Sequence, residues 1–125
     1  MNQAAVDTED KLKAIAESAS EKKAFDIVAL KVGEKSSIAD YFFICEGQNP
    51  RQTKTIAESI SDRLVEMKVK PRHVEGMTSG TWILMDYGDI IVHVFISQSR
   101  EFYDLERLWG DCKRLELSDL VEEAV

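Results

Sequence analysis

The sequence predicts an α/β (α+β) domain, and three stretches carry that prediction. Tyr41 to Cys45 is an aromatic-rich apolar run, stopped by Gly47-Gln48-Asn49-Pro50 and followed by a helical repeat. Phe25 to Val32 alternates between apolar and other residues. Trp82 to Phe95 reads as two apolar strands around Gly88-Asp89. Strand, Gly-containing turn and capped helix in succession make an α/β unit. The chain has 125 residues and is expected to form one domain, with its core over about 8–110 and an acidic tail over 111–125. A chain of this size buries roughly two-thirds of its unfolded surface, so it needs neither disulfides nor metal to fold.

Asp7 to Lys23 has the pattern of a first helix. Asp7 or Thr8 can cap it, and Glu9 and Asp10 suit its positive N-terminal end. Leu12, Ile15, Ala16 and Ala19 fall on one stripe. Phe25 to Val32 follows as a strand, with Val28, Leu30 and Val32 on one face. Tyr41 to Cys45 is apolar on both faces, which predicts a central strand. Asn49 is a good N-cap, and Pro50 fits the first helical position, where its missing N–H costs nothing. That helix runs to about Met67, with Ile56, Ile60 and Leu64 on its apolar side and Val65 and Met67 extending it. Arg72 to Glu75, after Pro71, fits a short edge strand. Gly76 to Gly80 reads as a loop. Beyond Ser99, Phe102, Leu105 and Leu108 have helical spacing, with Trp109 beside them. Asp119 to Val125 reads as a short acidic helix or a tail.

The hairpin is the most informative segment. Gly88-Asp89 suits a two-residue type II′ turn. That register puts Ile83, Met85, Tyr87, Ile90, Val92 and Val94 on one apolar face, the core. Trp82, Leu84, Asp86, Ile91, His93 and Phe95 take the other, with Trp82 opposite Phe95 and Leu84 opposite His93. This second face is too apolar for solvent and too polar for a core, the composition of a surface that meets another macromolecule. A second helix layer over it is the structural alternative. Arg100 and Tyr103, three residues apart on a helix, can extend the same side.

Composition narrows the partners. The net charge of −7 disfavours long-range attraction to naked nucleic acid or an anionic membrane, and favours a basic protein. No signal segment or membrane span is recognisable, so a cytoplasmic protein is expected. Cys45 and Cys112 lie far apart, outside any C-x-x-C motif, and are expected to be reduced thiols. The GQNP turn is neither a Walker loop nor G-x-G-x-x-G. Asp86 and Asp89 could form a carboxylate pair for a divalent cation, but their D-Y-G-D spacing fits a turn better. His93 and His73 belong to no metal-ligand cluster. No cofactor, metal or catalytic constellation is expected.

Taken in order, these segments resemble the ribosomal silencing factors of the RsfS, or Iojap-like, family. The resemblance rests on SSIADYFFIC over 36–45, Arg51-Gln52, Glu75-Gly76, Gly80-Thr81-Trp82, DYGDIIVHVF over 86–95 and REFYDLERLW over 100–109. The chain departs from the family pattern at Glu46, Asn49 and Pro50, and at Ser97-Gln98-Ser99. The resemblance implies a single mixed β-sheet with flanking helices, a nucleotidyltransferase-like fold without catalysis. It implies binding to the large ribosomal subunit through the L-fourteen ribosomal protein, steric blocking of subunit joining, and repression of translation when nutrients are scarce. It also implies a partner surface at Trp82, Asp86, Tyr87, Asp89 and His93, with Arg100 and Tyr103 as neighbours. The alternatives are a nucleotidyltransferase-like enzyme using Asp86 and Asp89 with a metal, or a homodimer using the same patch.

Overall fold

Strand β2 (Tyr41–Gly47) is buried at every position, because both of its faces are covered and both of its edges are paired. The computed structural model describes residues 6–121. Among the described residues, six strands form one sheet: β1 (Phe25–Lys31), β2, β3 (His73–Glu75), β4 (Trp82–Asp86), β5 (Ile90–Ile96) and β6 (Lys113–Glu116), in the order β3-β4-β5-β2-β1-β6. β2 and β5 run parallel, and the other neighbours are antiparallel, so the sheet is mixed. β2 is central, as its two-faced apolar sequence predicts.

Helices α1 (Thr8–Glu21) and α2 (Pro50–Glu66) cover one face of the sheet. Their stripes, Leu12, Ile15, Ala16 and Ala19 and then Ile56, Ile60 and Leu64, meet Phe43, Ile83, Met85, Val92 and Val94. Asn49 caps α2 by accepting from the Gln52 amide at 2.9 Å, with Pro50 in the first turn. Asp7 stands at the N-cap of α1 but makes no side-chain bond there. Val65 is 48% exposed, so the apolar side of α2 ends at Leu64. Met67, at the C-cap, still packs against the core.

The β4–β5 hairpin has the two-residue register. Trp82 pairs with Phe95, Leu84 with His93 and Asp86 with Ile91. The Tyr87 amide donates to the Ile90 carbonyl at 2.9 Å, and Gly88 takes φ +92. That positive φ is the reason a glycine opens the turn. Gly76 has φ +88, and a Cβ there would lie 1.9 Å from the Trp82 carbonyl oxygen. This loop therefore approaches the start of β4 more closely than any side chain permits.

Two expectations are corrected. The segment after Gly110 is no tail outside the core: β6 pairs antiparallel with β1, and α5 (Leu117–Leu120) buries Leu120 against the main core. Its four-residue strand KRLE has little alternation to announce it, and pairing with β1 supplies what the pattern lacks. Residues 122–125 of the expected acidic end lie outside the described residues. The single helix expected after Ser99 is instead two pieces, α3 (Ser97–Tyr103) and α4 (Leu105–Leu108), broken at Asp104 with φ +49. Leu105 and Trp109 turn toward the sheet, while Phe102 and Leu108 face water.

Candidate functional site

The outer face of the sheet is covered on one half and open on the other. Leu105, Trp109 and Cys112 pack over Val28, Leu30, Phe42 and Ile44 on strands β1 and β2. On the β4 side, Trp82, Leu84 and Asp86 are only partly covered. β3 extends this side with exposed His73 and Glu75, paired to Asp86 and Leu84. The face is therefore less exposed than alternation alone suggests. His93 is 3% exposed and Phe95 is 1% exposed, with Phe42 and Trp82 against the His93 ring and Trp82 stacked on Phe95.

Aromatic rings occupy the boundary between the two halves. Trp82 lies 4.4 Å from Tyr103, 5.2 Å from Phe95 and 5.9 Å from His93, centroid to centroid. Phe42 lies 5.0 Å from His93 and 5.5 Å from Trp109. The Trp82 indole N–H donates to His93 Nδ1 at 3.1 Å. An indole can only donate, so the neutral imidazole carries its proton on Nε2. That Nε2 is buried and has no partner among the described residues. Burial pushes the His93 pKa down to about 4, so the ring is neutral at pH 7.

Three of the seven expected site residues come together here: Trp82, His93 and Tyr103. The others do not join them. Tyr87 faces the opposite, helix-covered side, where burial pushes its phenol up to about 12. Asp89 sits in the turn and binds α1: Lys11 approaches at 2.7 Å, and the Thr8 hydroxyl donates at 2.5 Å. Burial raises the Asp89 carboxyl, but Lys11 and Thr8 outweigh it and hold the group below the usual range. Asp86 accepts from the Gly88 amide at 2.7 Å and pairs with Arg72 at 3.5 Å. Arg100 is withdrawn from solvent, at 3.5 Å from Glu46 and 2.9 Å from Glu106.

The two turn carboxylates are thus held by separate basic groups and do not converge as a metal pair would. Among the described residues, no group of three His, Cys, Asp or Glu side chains is placed to hold a metal ion. No described helix is long and apolar enough to cross a membrane. Both cysteines are free, and burial pushes the Cys45 thiol up to about 12, which suppresses its thiolate.

One contributor was missed from the sequence. Glu46, 5% exposed at the end of β2, accepts from the Ser97 hydroxyl and pairs with Arg100. Arg114 and Arg100 together bind Glu106, and they hold its carboxyl low although burial raises it. This network fixes α3 and with it Tyr103. A carboxylate inside an otherwise apolar strand was the available signal, because a buried charge requires a partner.

The comparisons with known proteins agree with this architecture. Residues 5–125 match the family model described as ribosomal silencing factor during starvation, RsfS. The chain is 41% identical over 106 residues to the ribosomal silencing factor RsfS of Bacillus subtilis (strain 168), covering 85% of this chain and 90% of that protein. A crystal structure of a Chromobacterium violaceum protein superposes with a TM-score of 0.82 at 33% identity, covering 86% of this chain and 90% of that one. A more distant mouse relative, named mitochondrial assembly of ribosomal large subunit protein 1, is 26% identical over 71% of this chain and 40% of its own length. With a family model spanning nearly the whole sequence and a relative this similar over most of both chains, the protein belongs to the RsfS family of ribosomal silencing factors.

Proposed function

We propose that this chain is a non-enzymatic anti-association factor of the cytoplasm. It binds the large ribosomal subunit through the L-fourteen ribosomal protein and sterically blocks joining of the small subunit. Translation is thereby repressed when nutrients are scarce. The observation that carries this reading is Trp82, a partly covered indole at the edge of an open sheet face, in tilted ring contact with a half-exposed Tyr103. Tryptophan and tyrosine in such settings are the residues most enriched among binding hot spots.

In this reading Trp82 is the anchor and Tyr103 contacts the partner beside it. Asp86 offers an acceptor at the far end of β4. His93 acts from beneath, by fixing the indole. Arg100 positions α3 through Glu46 and Glu106, and Tyr87 and Asp89 hold the hairpin turn. The family match and the mouse relative's name support a large-subunit partner. The net charge of −7 supports a basic one and predicts weaker association at high salt.

Gradient sedimentation of purified subunits, with and without the protein, tests the mechanism. The expected result is loss of the joined-ribosome peak, with the protein travelling beside the large subunit. Migration with neither subunit would refute it.

A further inference from the structure

Phe102 is 79% exposed and Leu108 is 72% exposed, although their spacing suggests core residues. The cause is local. Asp104 adopts φ +49, ends α3 and restarts the chain as α4, so the apolar stripe is split. Leu105 and Trp109 take the sheet side. Phe102 and Leu108 are left on a shallow groove shared with Tyr103, Glu101, Asp104 and Arg107. Two large apolar side chains this exposed and this close mark an interaction surface more often than a neutral one.

We infer that the docking footprint extends across the α3–α4 corner, where Phe102 and Leu108 receive an apolar side chain from the same basic protein partner. The inference rests on the large-subunit reading above. Continuity is the first argument. Tyr103 lies tilted against Trp82 at 4.4 Å and meets Phe102 edge-on at 5.0 Å, so one aromatic row leads from the sheet to the corner. Charge is the second. Exposed Glu101 and Asp104 face a single groove cation, Arg107, whereas the nearby Glu106 is already neutralised by Arg100 and Arg114. An apolar corner with surplus negative charge at its rim is complementary to a cationic surface carrying an apolar side chain.

The test titrates purified large subunits with the wild-type chain, Phe102→Ser, Leu108→Ser and the double variant Glu101→Gln/Asp104→Asn. Both apolar residues are mostly exposed, so each single variant should keep the wild-type Tm. Each should lose affinity by about ten-fold or more, as a truncated interface anchor does. The charge variant should bind with a flatter salt dependence. Folded serine variants that bind like wild type, while Trp82→Ala binds weakly, would overturn the extension and leave the large-subunit reading intact. A wild-type dimer in sedimentation equilibrium that Phe102→Ser dissolves would assign the corner to a second copy and overturn it too. Failure of the wild-type chain to bind the subunit would remove both.

Discussion

The Trp82 indole donates its N–H to His93 Nδ1 across 3.1 Å, tying a partly covered ring on β4 to a buried imidazole on β5. The bond gives Trp82 a structural role beside the binding role proposed for it. Under that proposal partner affinity and fold stability meet in one side chain, so substitutions there are read in both.

Trp82→Ala should lower large-subunit affinity by about 2 kcal/mol or more, as a hot-spot anchor does. It should also lower stability by roughly 2 kcal/mol, because packing against Phe95 and Tyr103 is lost and His93 Nδ1 loses its donor. Trp82→Phe keeps an aromatic ring beside Phe95 and Tyr103 but loses the bond and part of the indole's packing, so about 1 kcal/mol of stability or somewhat more should go, less than for Trp82→Ala. Urea unfolding separates the two variants, and sedimentation with subunits reads the affinity.

Acid should destabilise the fold through His93. Its folded pKa of about 4 lies below the ordinary 6.5, so the fold favours the neutral ring. The contribution is complete above the unfolded pKa and is lost as pH falls from 6.5 toward 4, up to about 3 kcal/mol. Urea midpoints from pH 7.5 downward should therefore fall more steeply for wild type than for His93→Gln. Parallel curves would place the acid sensitivity elsewhere.

Asp89 should act on stability before affinity. It joins the β4–β5 turn to Lys11 of α1, and these side chains are 20% and 12% exposed. Asp89→Ala strands the Lys11 ammonium and should cost about 2 kcal/mol, less than a fully buried pair because solvent screens part of it. A double-mutant cycle with Lys11→Met should recover much of the loss. Weakened subunit binding with unchanged Tm would assign Asp89 to the partner instead.

Removing residues 111–125 should unfold the domain or lower its stability by about 3 kcal/mol or more. The deletion strips β6 from β1 and removes buried Leu120. It also bares the β1 edge, so aggregation should rise. Thermal melts and light scattering read both effects. A truncated chain as stable as the full one would return this segment to the status of a tail.

Much of the fold is legible because it rests on local rules. The Asn49–Pro50 cap, the Ile56–Ile60–Leu64 stripe and the two-faced apolar β2 follow from period and capping chemistry. The hairpin register follows from one glycine that can adopt positive φ. The candidate site was legible only where alternation governs it, which gave Trp82, Phe95 and His93 a common face. Burial of His93, the Glu46–Arg100–Glu106 network and the split of Phe102 from Leu105 were not legible. Each depends on where the chain after β5 returns.

By itself, then, the sequence determined which residues share a face, where the helices begin and which family pattern the chain carries. Those properties depend on neighbours a few residues apart. The tertiary structure decided how far the Trp82 face is covered, that Asp89 holds α1, and that Phe102 and Leu108 stand in water. Those outcomes depend on packing between distant segments and on one backbone reversal at Asp104. Local periodicity carries no information about either.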